Sequence, residues 1–326
     1  MKPIDRAYHK ARLLRVPFSV HFDLTFRCHQ RCVHCYLPED WRRGEGPPEL
    51  DTSQVKSILD QLAAAGTFFL TFSGGEVFLR PDLMDLVAYA RGLNFSVALM
   101  TSGTLGPDDA QLEALAAVGL DALQVSLYSL DPAVHDRVTG LPGSWEQMMR
   151  TIEKSRARGL RLVFSSVIFN FTFDQIDAIN QYTLKEQSYL RMDGTLTPRW
   201  DGNSLPPGLE IGPERNRELH SLIGTEVRHW QESLTVAVSP ELSAELAGCE
   251  AGKTICYLTP QGDLWPCMDI SCNCGKVIGG DNFIKVWRDS PKLNSIRAMD
   301  GQIPEAERLC DYFRRTGRGK IIDQFS

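Results

Sequence analysis

The sequence of 326 residues has no long uninterrupted hydrophobic run and no run of lysine or arginine. A membrane-spanning helix needs about 18 or more consecutive apolar residues, so no membrane span is predicted. The formal net charge of −6, without a basic run, gives no sign of a nucleic-acid-binding surface. The N-terminus is basic, but charges and proline interrupt its apolar residues. It also lacks a small-residue cleavage site, so it is not a secretory signal. We expect a soluble cytoplasmic protein with neither a nucleic-acid nor a membrane partner.

Cysteine is absent from 213 consecutive residues, 36 to 248, although the chain contains nine cysteines. Core cysteines scattered along the chain would not avoid about two thirds of it, and disulfides are disfavoured in a reducing cytoplasm. The two groups of cysteines are therefore predicted to be metal sites. The early group is Cys28, Cys32 and Cys35, and the late group is Cys249, Cys256, Cys267, Cys272, Cys274 and Cys310.

Extended apolar segments alternate with amphipathic helical patterns through the first part of the chain. Repeated strand–helix units imply a parallel sheet, and we predict an α/β fold with a partial, TIM-like (β/α)6 barrel over residues 1–205. A glycine- and proline-rich linker and a helix over 214–233 are expected within 206–245. A small cysteine-rich α+β domain is expected over 246–326. The strands are predicted at 18–24, 68–73, 96–103, 122–129, 161–169 and near 189–196.

The unusual stretches of the sequence each follow a predicted strand. RCHQRCVHCYL, residues 27–37, follows the first strand, and SGGE, residues 73–76, follows the second. TSG follows the third strand, and SLYS ends the fourth. Because the residues that carry chemistry in barrel-type sheets lie after the carboxyl ends of the strands, all these stretches are expected on one face.

Three early thiols leave one coordination position open. A structural zinc site is almost always four-coordinate, and His29 or His34 would complete a three-cysteine, one-histidine site. Such a site closes a small, loop-rich module, whereas this stretch lies at the rim of a predicted barrel. A [4Fe–4S] cluster fits better, because three thiolates bind three irons and the fourth iron can chelate the amino and carboxylate groups of a substrate.

The spacing C-x3-C-x2-C after the first strand, with His34 before the last cysteine, resembles that of the radical S-adenosylmethionine (SAM) enzymes. The SGGE stretch resembles their glycine-glycine-glutamate motif, whose backbone and acid hold the amino group of SAM. Glycine has no Cβ and lets the backbone approach a ligand closely. The resemblance implies a cofactor-binding set that includes His34, Ser73, Gly74, Gly75 and Glu76.

Two further residues are expected at SAM by the same resemblance. Ser126 matches a fourth-strand serine that contacts SAM in relatives, although a hydroxyl that caps a strand end is the alternative. Arg137 is expected to meet the SAM carboxylate, with an ordinary surface arginine as the alternative. Ser102 stands where many relatives have asparagine, so no role is predicted for it.

The resemblance also implies a reaction. One electron from the reduced cluster cleaves SAM to methionine and a 5′-deoxyadenosyl radical, which abstracts hydrogen from an unactivated carbon. The cofactor carries this chemistry, while the barrel orients it and excludes water. An electron donor such as flavodoxin or ferredoxin is an expected partner.

The late cysteines resemble part of a second motif. Cys249, twelve residues, Gly262, four residues and Cys267 resemble the start of the SPASM and twitch extensions of radical SAM enzymes, which bind auxiliary [4Fe–4S] clusters. Residues 279–299 resemble the segment that follows there, and Cys310 falls where the next ligand is expected.

The pattern then departs from the family. The family continues with C-x2-C-x5-C-x3-C, whereas this chain has Phe313 and no cysteine after Cys310. The additional Cys256, Cys272 and Cys274 would compensate for the missing ligands. We predict one or two auxiliary clusters, with ligands among all six late cysteines.

The leading hypothesis is a radical SAM oxidoreductase that modifies a peptide or small protein, as in ribosomal peptide maturation. Its substrate rests on analogy alone. The cluster motif begins at residue 28, too early for an N-terminal leader-recognition domain, so a separate leader-binding protein, or none, is expected. A twitch-type small-molecule dehydrogenase is the first alternative. A non-enzymatic iron–sulfur electron carrier is the second, although a carrier needs neither an open iron nor a glycine-glycine-glutamate motif.

Overall fold

An eight-stranded sheet forms the centre of the protein. The computed structural model describes residues 3–104, 106–203, 205–212, 214–219, 249–278, 282–299 and 309–310. In chain order its strands are β1 (Ser19–Thr25), β2 (Phe69–Gly74), β3 (Ser96–Thr101), β4 (Ala122–Ser126), β5 (Leu162–Val167), β6 (Tyr189–Asp193), β7 (Ile255–Leu258) and β8 (Leu264–Trp265). The spatial order is β6-β5-β4-β3-β2-β1-β7-β8, and all neighbours are parallel except β7 and β8. The predicted α/β class and the six parallel strands of the partial barrel are confirmed.

Helices connect these strands, as the alternating pattern predicts. Within the described residues no helix is long and apolar enough to cross a membrane. Five helices were not anticipated from the sequence: α1, α2, α6, α9 and α10. The helices are α1 (Pro3–Leu14), α2 (Glu39–Arg42), α3 (Thr52–Ala65), α4 (Leu83–Gly92), α5 (Asp109–Ala117), α6 (Pro132–Thr139), α7 (Ser144–Ala157), α8 (Ile176–Lys185), α9 (Phe283–Asp289) and α10 (Pro291–Arg297).

The apolar side chains of the strands hold the sheet against its helices. In β1, Val20, Phe22 and Leu24 alternate along one face and are fully buried. Burying a side chain of this kind contributes about 1.5–3 kcal/mol. Asp23 lies on the other face of β1 and is also fully buried. The packing fixes the carboxyl end of β1, from which the three-cysteine loop departs.

Local signals define the ends of α3. Its N-cap is Asp51, which forms a capping box with Gln54. Its C-cap is Gly66 with φ of 88°, as expected for a glycine in the left-handed conformation.

The segment with the late cysteines continues the same sheet. Strand β7 pairs in parallel with β1, with Ser19 opposite Ile255, and forms an antiparallel hairpin with β8. The Tyr257 hydroxyl donates a 2.6 Å hydrogen bond to Asp23 Oδ2, so a side-chain contact reinforces the pairing of β7 with β1.

Part of the predicted organisation lies outside the described residues. Residues 214–219 of the helix predicted over 214–233 are helical, and the remainder lies outside the described part. The region of Phe313, where the cysteine pattern departs from the family, also lies outside it. The domain boundaries after residues 205 and 245 stay predictions.

Candidate active site

A cavity of about 260 Å³ lies at the carboxyl ends of the barrel strands. Lining residues come from the end of each of the six barrel strands or from the loop after it. Met268 and Asp269 of the late segment complete the lining. Eight of the residues predicted from the sequence line this one cavity: Cys28, Cys32, His34, Cys35, Ser73, Gly74, Gly75 and Ser126.

The loop that carries the three early cysteines is fixed to its surroundings by backbone hydrogen bonds. Arg31 N donates to Thr139 O at 2.9 Å, and Val33 N donates to Val138 O at 2.9 Å, which ties the loop to the end of α6. Cys28 N donates to Arg42 O at 3.0 Å. These backbone hydrogen bonds hold the loop at the cavity, and the thiols take no part in them.

The thiols lie in an environment that disfavours their charge. Burial raises the pKa of Cys28 to about 12 and also raises the pKa values of Cys32 and Cys35. Metal ligation requires thiolates, so a bound metal centre offsets this cost. None of the three is in a disulfide.

His34 is enclosed by aromatic rings. Its ring centroid lies 5.2 Å from that of Tyr128 and 5.1 Å from that of Phe169. Burial lowers the pKa of His34 to about 4, so the imidazole is neutral near pH 7. It therefore forms an uncharged part of the cavity wall, with its Nε2 atom 3.4 Å from the hydroxyl of Tyr128.

The two glycines of SGGE allow two strand ends to meet. Gly74 has φ of 131°, and a Cβ there would lie 2.0 Å from Thr25 O. A Cβ on Gly75 would lie 2.2 Å from Arg27 O. Gly75 N and Glu76 N donate to Thr25 O and Arg27 O, at 2.8 and 2.9 Å. The glycines are therefore required where the backbone after β2 packs against the end of β1, and this same backbone lines the cavity.

Glu76 lies behind this wall and does not line the cavity. Its side chain is fully buried, and Oε1 accepts a hydrogen bond from Thr101 Oγ1 at 2.8 Å. Oε2 accepts from Ser102 N at 3.0 Å and from Ser102 Oγ at 2.5 Å. Burial raises the pKa of Glu76, and these hydrogen bonds partly oppose the rise. Ser102 lies at the cavity wall and contacts Glu76 directly.

Ser102 also begins a chain of hydrogen bonds toward the cysteine loop, which we did not predict. Ser102 Oγ and Thr104 Oγ1 are 2.8 Å apart. Gln30 Nε2 donates to Thr104 Oγ1 at 2.8 Å, and Cys32 Sγ donates to Gln30 Oε1 at 3.1 Å. The available signal was the place of Ser102 at the end of the third strand. Glu76 and Cys32 are thereby joined through three polar side chains.

The remaining two predicted SAM contacts differ in position. Ser126 lines the cavity at the end of β4. Arg137 lies on α6, and its guanidinium carbon stacks 4.3 Å from the ring centroid of Phe171. The structure does not bring Arg137 to the cavity lining.

A different arginine, Arg42, lines the cavity. Its side chain is 6% exposed, and its Nε and Nη1 atoms are buried without a hydrogen-bond partner. Buried guanidinium N–H groups are normally paired, so this wall of the cavity suits an anion. Three free thiols, a wall of glycine backbone and a buried cation together fit an anionic iron–sulfur cluster with its bound SAM.

The six late cysteines fall into two groups. The first is Cys249, Cys267 and Cys310: burial, the nearby Asp269 and the other two thiols raise the pKa of Cys267. Asp269 lines the cavity, and its Oδ1 accepts a 2.8 Å hydrogen bond from Thr197 Oγ1. This group therefore lies next to the cavity wall.

The second group surrounds a buried arginine. The sulfur atoms of Cys272 and Cys274 are 3.9 Å apart, and Cys274 donates to Cys272. Burial raises the pKa of Cys256, and the charge of Arg297 opposes the rise. Arg297 also lowers the pKa of Cys274 against the larger effects of Cys272 and of burial. Whether this group binds metal stays a prediction.

Comparisons with known proteins agree with this geometry. The profile of the Radical SAM superfamily matches residues 23–182. PqqA peptide cyclase from Gluconobacter oxydans (strain 621H) is 30% identical over 315 residues, which cover 93% of this chain and 85% of that protein. Mycofactocin maturase MftC from Mycolicibacterium smegmatis is 28% identical, and the alignment covers 100% of this chain and 83% of that protein.

Two solved structures share the fold. Streptococcus suis SuiB bound to S-adenosylmethionine has a TM-score of 0.69 and 16% identity, covering 90% of this chain and 72% of that chain. The enzyme anSMEcpe, solved with AdoMet and the Cp18Cys peptide, has a TM-score of 0.60 and 15% identity, covering 86% and 82%. The resemblance seen in the sequence is confirmed, and with it an enzyme with SAM and a [4Fe–4S] cluster as cofactors. The chain belongs to the radical SAM superfamily.

Proposed function

We propose that this radical SAM enzyme modifies a peptide or small protein, as in the maturation of ribosomal peptides. The observation that carries the proposal is the 30% identity to a PqqA peptide cyclase over 93% of this chain. SuiB, whose fold is similar, has been solved bound to its precursor peptide SuiA. The cavity supports the proposal, because it is bounded by the barrel on one side and by Met268 and Asp269 on the other.

Cys28, Cys32 and Cys35 are the proposed ligands of the SAM-binding cluster. When bound and reduced, the cluster supplies the electron that cleaves SAM and so generates the hydrogen-abstracting radical. The thiols line one cavity and are free to bind iron. His34 contributes a neutral, aromatic wall that helps to exclude water.

The proposed SAM-binding residues follow β2, β3 and β4. Ser73, Gly74, Gly75 and Ser126 all line the cavity. Glu76 is the proposed acceptor for the SAM amino group. Because Ser102 lies between Glu76 and the cavity, Ser102 either shares this contact or transmits the charge of Glu76 to it.

Cys249, Cys267 and Cys310 are the proposed ligands of one auxiliary cluster. Cys267 lies two positions before Asp269, a cavity residue, so an electron acceptor there would be close to the substrate. Loss of two hydrogens from a substrate requires such an acceptor, because SAM removes only one hydrogen atom. A second cluster on Cys256, Cys272 and Cys274 belongs to the same proposal.

The proposed partners follow from this chemistry. A flavodoxin or ferredoxin would supply the electron, and the peptide would bind with the help of a separate leader-binding protein or without one. A cytoplasmic location suits both the oxygen-sensitive cofactor and the synthesis of its substrate on ribosomes.

The test uses a short peptide encoded beside the gene for this chain. The reduced enzyme with SAM is expected to change the mass of the peptide, for instance by loss of two hydrogens, while 5′-deoxyadenosine forms in proportion. The control is the variant in which Cys28, Cys32 and Cys35 are replaced by alanine. It should give neither the modified peptide nor 5′-deoxyadenosine. Coupled turnover of a small alcohol or amine, with every such peptide unchanged, would replace the peptide proposal by small-molecule dehydrogenation.

A further inference from the structure

Two adjacent arginines have opposite environments at the end of α2. Arg43 is exposed and forms ion pairs with Glu39, Asp40 and Glu45. Arg42 is 6% exposed, and two of its nitrogen atoms, Nε and Nη1, are buried without a hydrogen-bond partner. The sequence WRRGE does not distinguish the two, but the structure does.

The buried position of Arg42 carries a free-energy cost. Removing a guanidinium from water is expensive unless its N–H groups are paired and its charge is compensated. The backbone keeps the residue there, because Arg42 O accepts the amide of Cys28 at 3.0 Å. The preceding Trp41 stacks on Phe26, with ring centroids 5.3 Å apart. The arginine is therefore held at the cavity by its neighbours.

The charge of Arg42 acts on all three early thiols. Burial raises the pKa of Cys28, Cys32 and Cys35, and the positive charge of Arg42 lowers each of them. Among the described residues that line this cavity, Arg42 is the only arginine or lysine. Cluster potentials depend on net charge and on hydrogen bonds to the sulfur atoms, which are the two quantities that a guanidinium changes.

We propose that the Arg42 guanidinium is the cationic partner of the three-thiolate iron–sulfur centre and raises its reduction potential. The inference rests on the proposed ligands Cys28, Cys32 and Cys35. Reduction adds one negative charge to the cluster, and a nearby fixed cation with N–H donors stabilises that charge. Arg42 is thus a positioning residue that makes reduction by a cellular electron donor easier, before SAM is cleaved.

The experiment is a redox titration of the SAM-binding cluster, followed by electron paramagnetic resonance without SAM. Arg42→Gln is expected to lower the ratio of reduced to oxidised cluster about tenfold at a fixed potential, which is about 59 mV for a one-electron couple. Arg42→Lys keeps the charge but loses the planar fork of donors and should give an intermediate shift. The control Arg43→Gln should leave the midpoint unchanged, since Arg43 is exposed and paired with other carboxylates.

Iron and sulfide content separates this inference from the proposed ligand set. If the triple-alanine variant of the early cysteines keeps its full cluster content, the ligand assignment fails irrespective of Arg42. If Arg42→Gln does not assemble a cluster, Arg42→Met, which also removes the charge, is titrated after chemical reconstitution, and a midpoint equal to that of the wild type overturns the proposal. An Arg42→Gln enzyme with a full cluster and an unchanged midpoint also overturns it. Weaker SAM binding in that enzyme would assign Arg42 to the SAM carboxylate instead.

Discussion

Ser102 donates both its hydroxyl and its backbone N–H to the same carboxylate oxygen of Glu76, at 2.5 and 3.0 Å. Ser102 lines the cavity, whereas the carboxylate of Glu76 is fully buried. Ser102 is therefore a contact between the acid of the SGGE stretch and the cavity wall. In this chain the acid and the serine form one unit.

Ser102→Ala tests this unit. Removing a hydrogen bond to a charged group typically costs about 1.5–3 kcal/mol, and a change of 1.4 kcal/mol is tenfold in affinity. We expect SAM to bind the reconstituted variant roughly tenfold more weakly, with iron content unchanged, in anaerobic equilibrium binding. Ser96→Ala, at the opposite end of β3, is the matched control. If Ser102→Ala binds SAM as tightly as the wild type, this serine does not connect Glu76 to SAM.

Glu76→Gln tests the charge itself. The variant keeps the shape of the side chain and should bind SAM roughly tenfold more weakly or worse while retaining its cluster. Because the pKa of Glu76 is raised, the acid protonates at a higher pH than an ordinary carboxyl group. SAM affinity of the wild type should therefore fall as the pH is lowered toward that raised pKa, and the affinity of the variant should not follow it. Parallel pH profiles would contradict the role of Glu76.

Substitution of the cysteines counts the clusters. The alanine variant of Cys28, Cys32 and Cys35 should lose about one [4Fe–4S] cluster and retain the rest in iron and sulfide analysis. In that variant, further replacement of Cys249, Cys267 and Cys310 by alanine should remove the auxiliary cluster. Iron that still remains would be assigned to the group around Arg297. A triple variant that is already free of iron after reconstitution would contradict any auxiliary cluster.

Tyr257→Phe tests how β7 is joined to β1. The hydroxyl donates to the fully buried Asp23, so its loss should lower the free energy of unfolding by about 1.5–3 kcal/mol in denaturant titrations. Tyr89 also donates to a carboxylate, Asp60, but this pair is exposed. Tyr89→Phe should change stability little, because water replaces an exposed partner. Equal effects of the two substitutions would show that burial of Asp23 does not strengthen the contact.

The sequence predicts most of the barrel because its strands are short apolar runs separated by clear helical patterns. All six barrel strands lie where the pattern places them, with ends that differ by a few residues. The unpredicted α2 has four residues and α6 has eight, which is too short for a periodic signal. The N-cap of α3 is Asp51, which is followed by Thr52 and Ser53. All three residue types are good caps, so the sequence alone does not choose between them.

The sequence predicts which residues approach the candidate site, but it does not predict how deeply each side chain is buried. Spacing identifies the three early cysteines, and position after a strand identifies Ser126. Neither shows that Glu76 lies behind the cavity wall, because that depends on how the ends of β1 and β2 pack. Arg137, which was predicted at the SAM carboxylate, is exposed on α6, whereas Arg42, for which nothing was predicted, is buried at the cavity. Sequence alone does not show this difference in burial.

The position of β1 between β2 and β7 has a consequence for how the protein is made. Ser19 pairs with Phe69, 50 positions later, and with Ile255, 236 positions later. While the ribosome is still synthesising the middle of the chain, β1 has one neighbour, and its other edge is open to wrong partners. Pairing over such a distance is slow, because a long loop must close first. The early thiols leave β1 at its carboxyl end, so we expect iron to be loaded only after β7 has docked against β1.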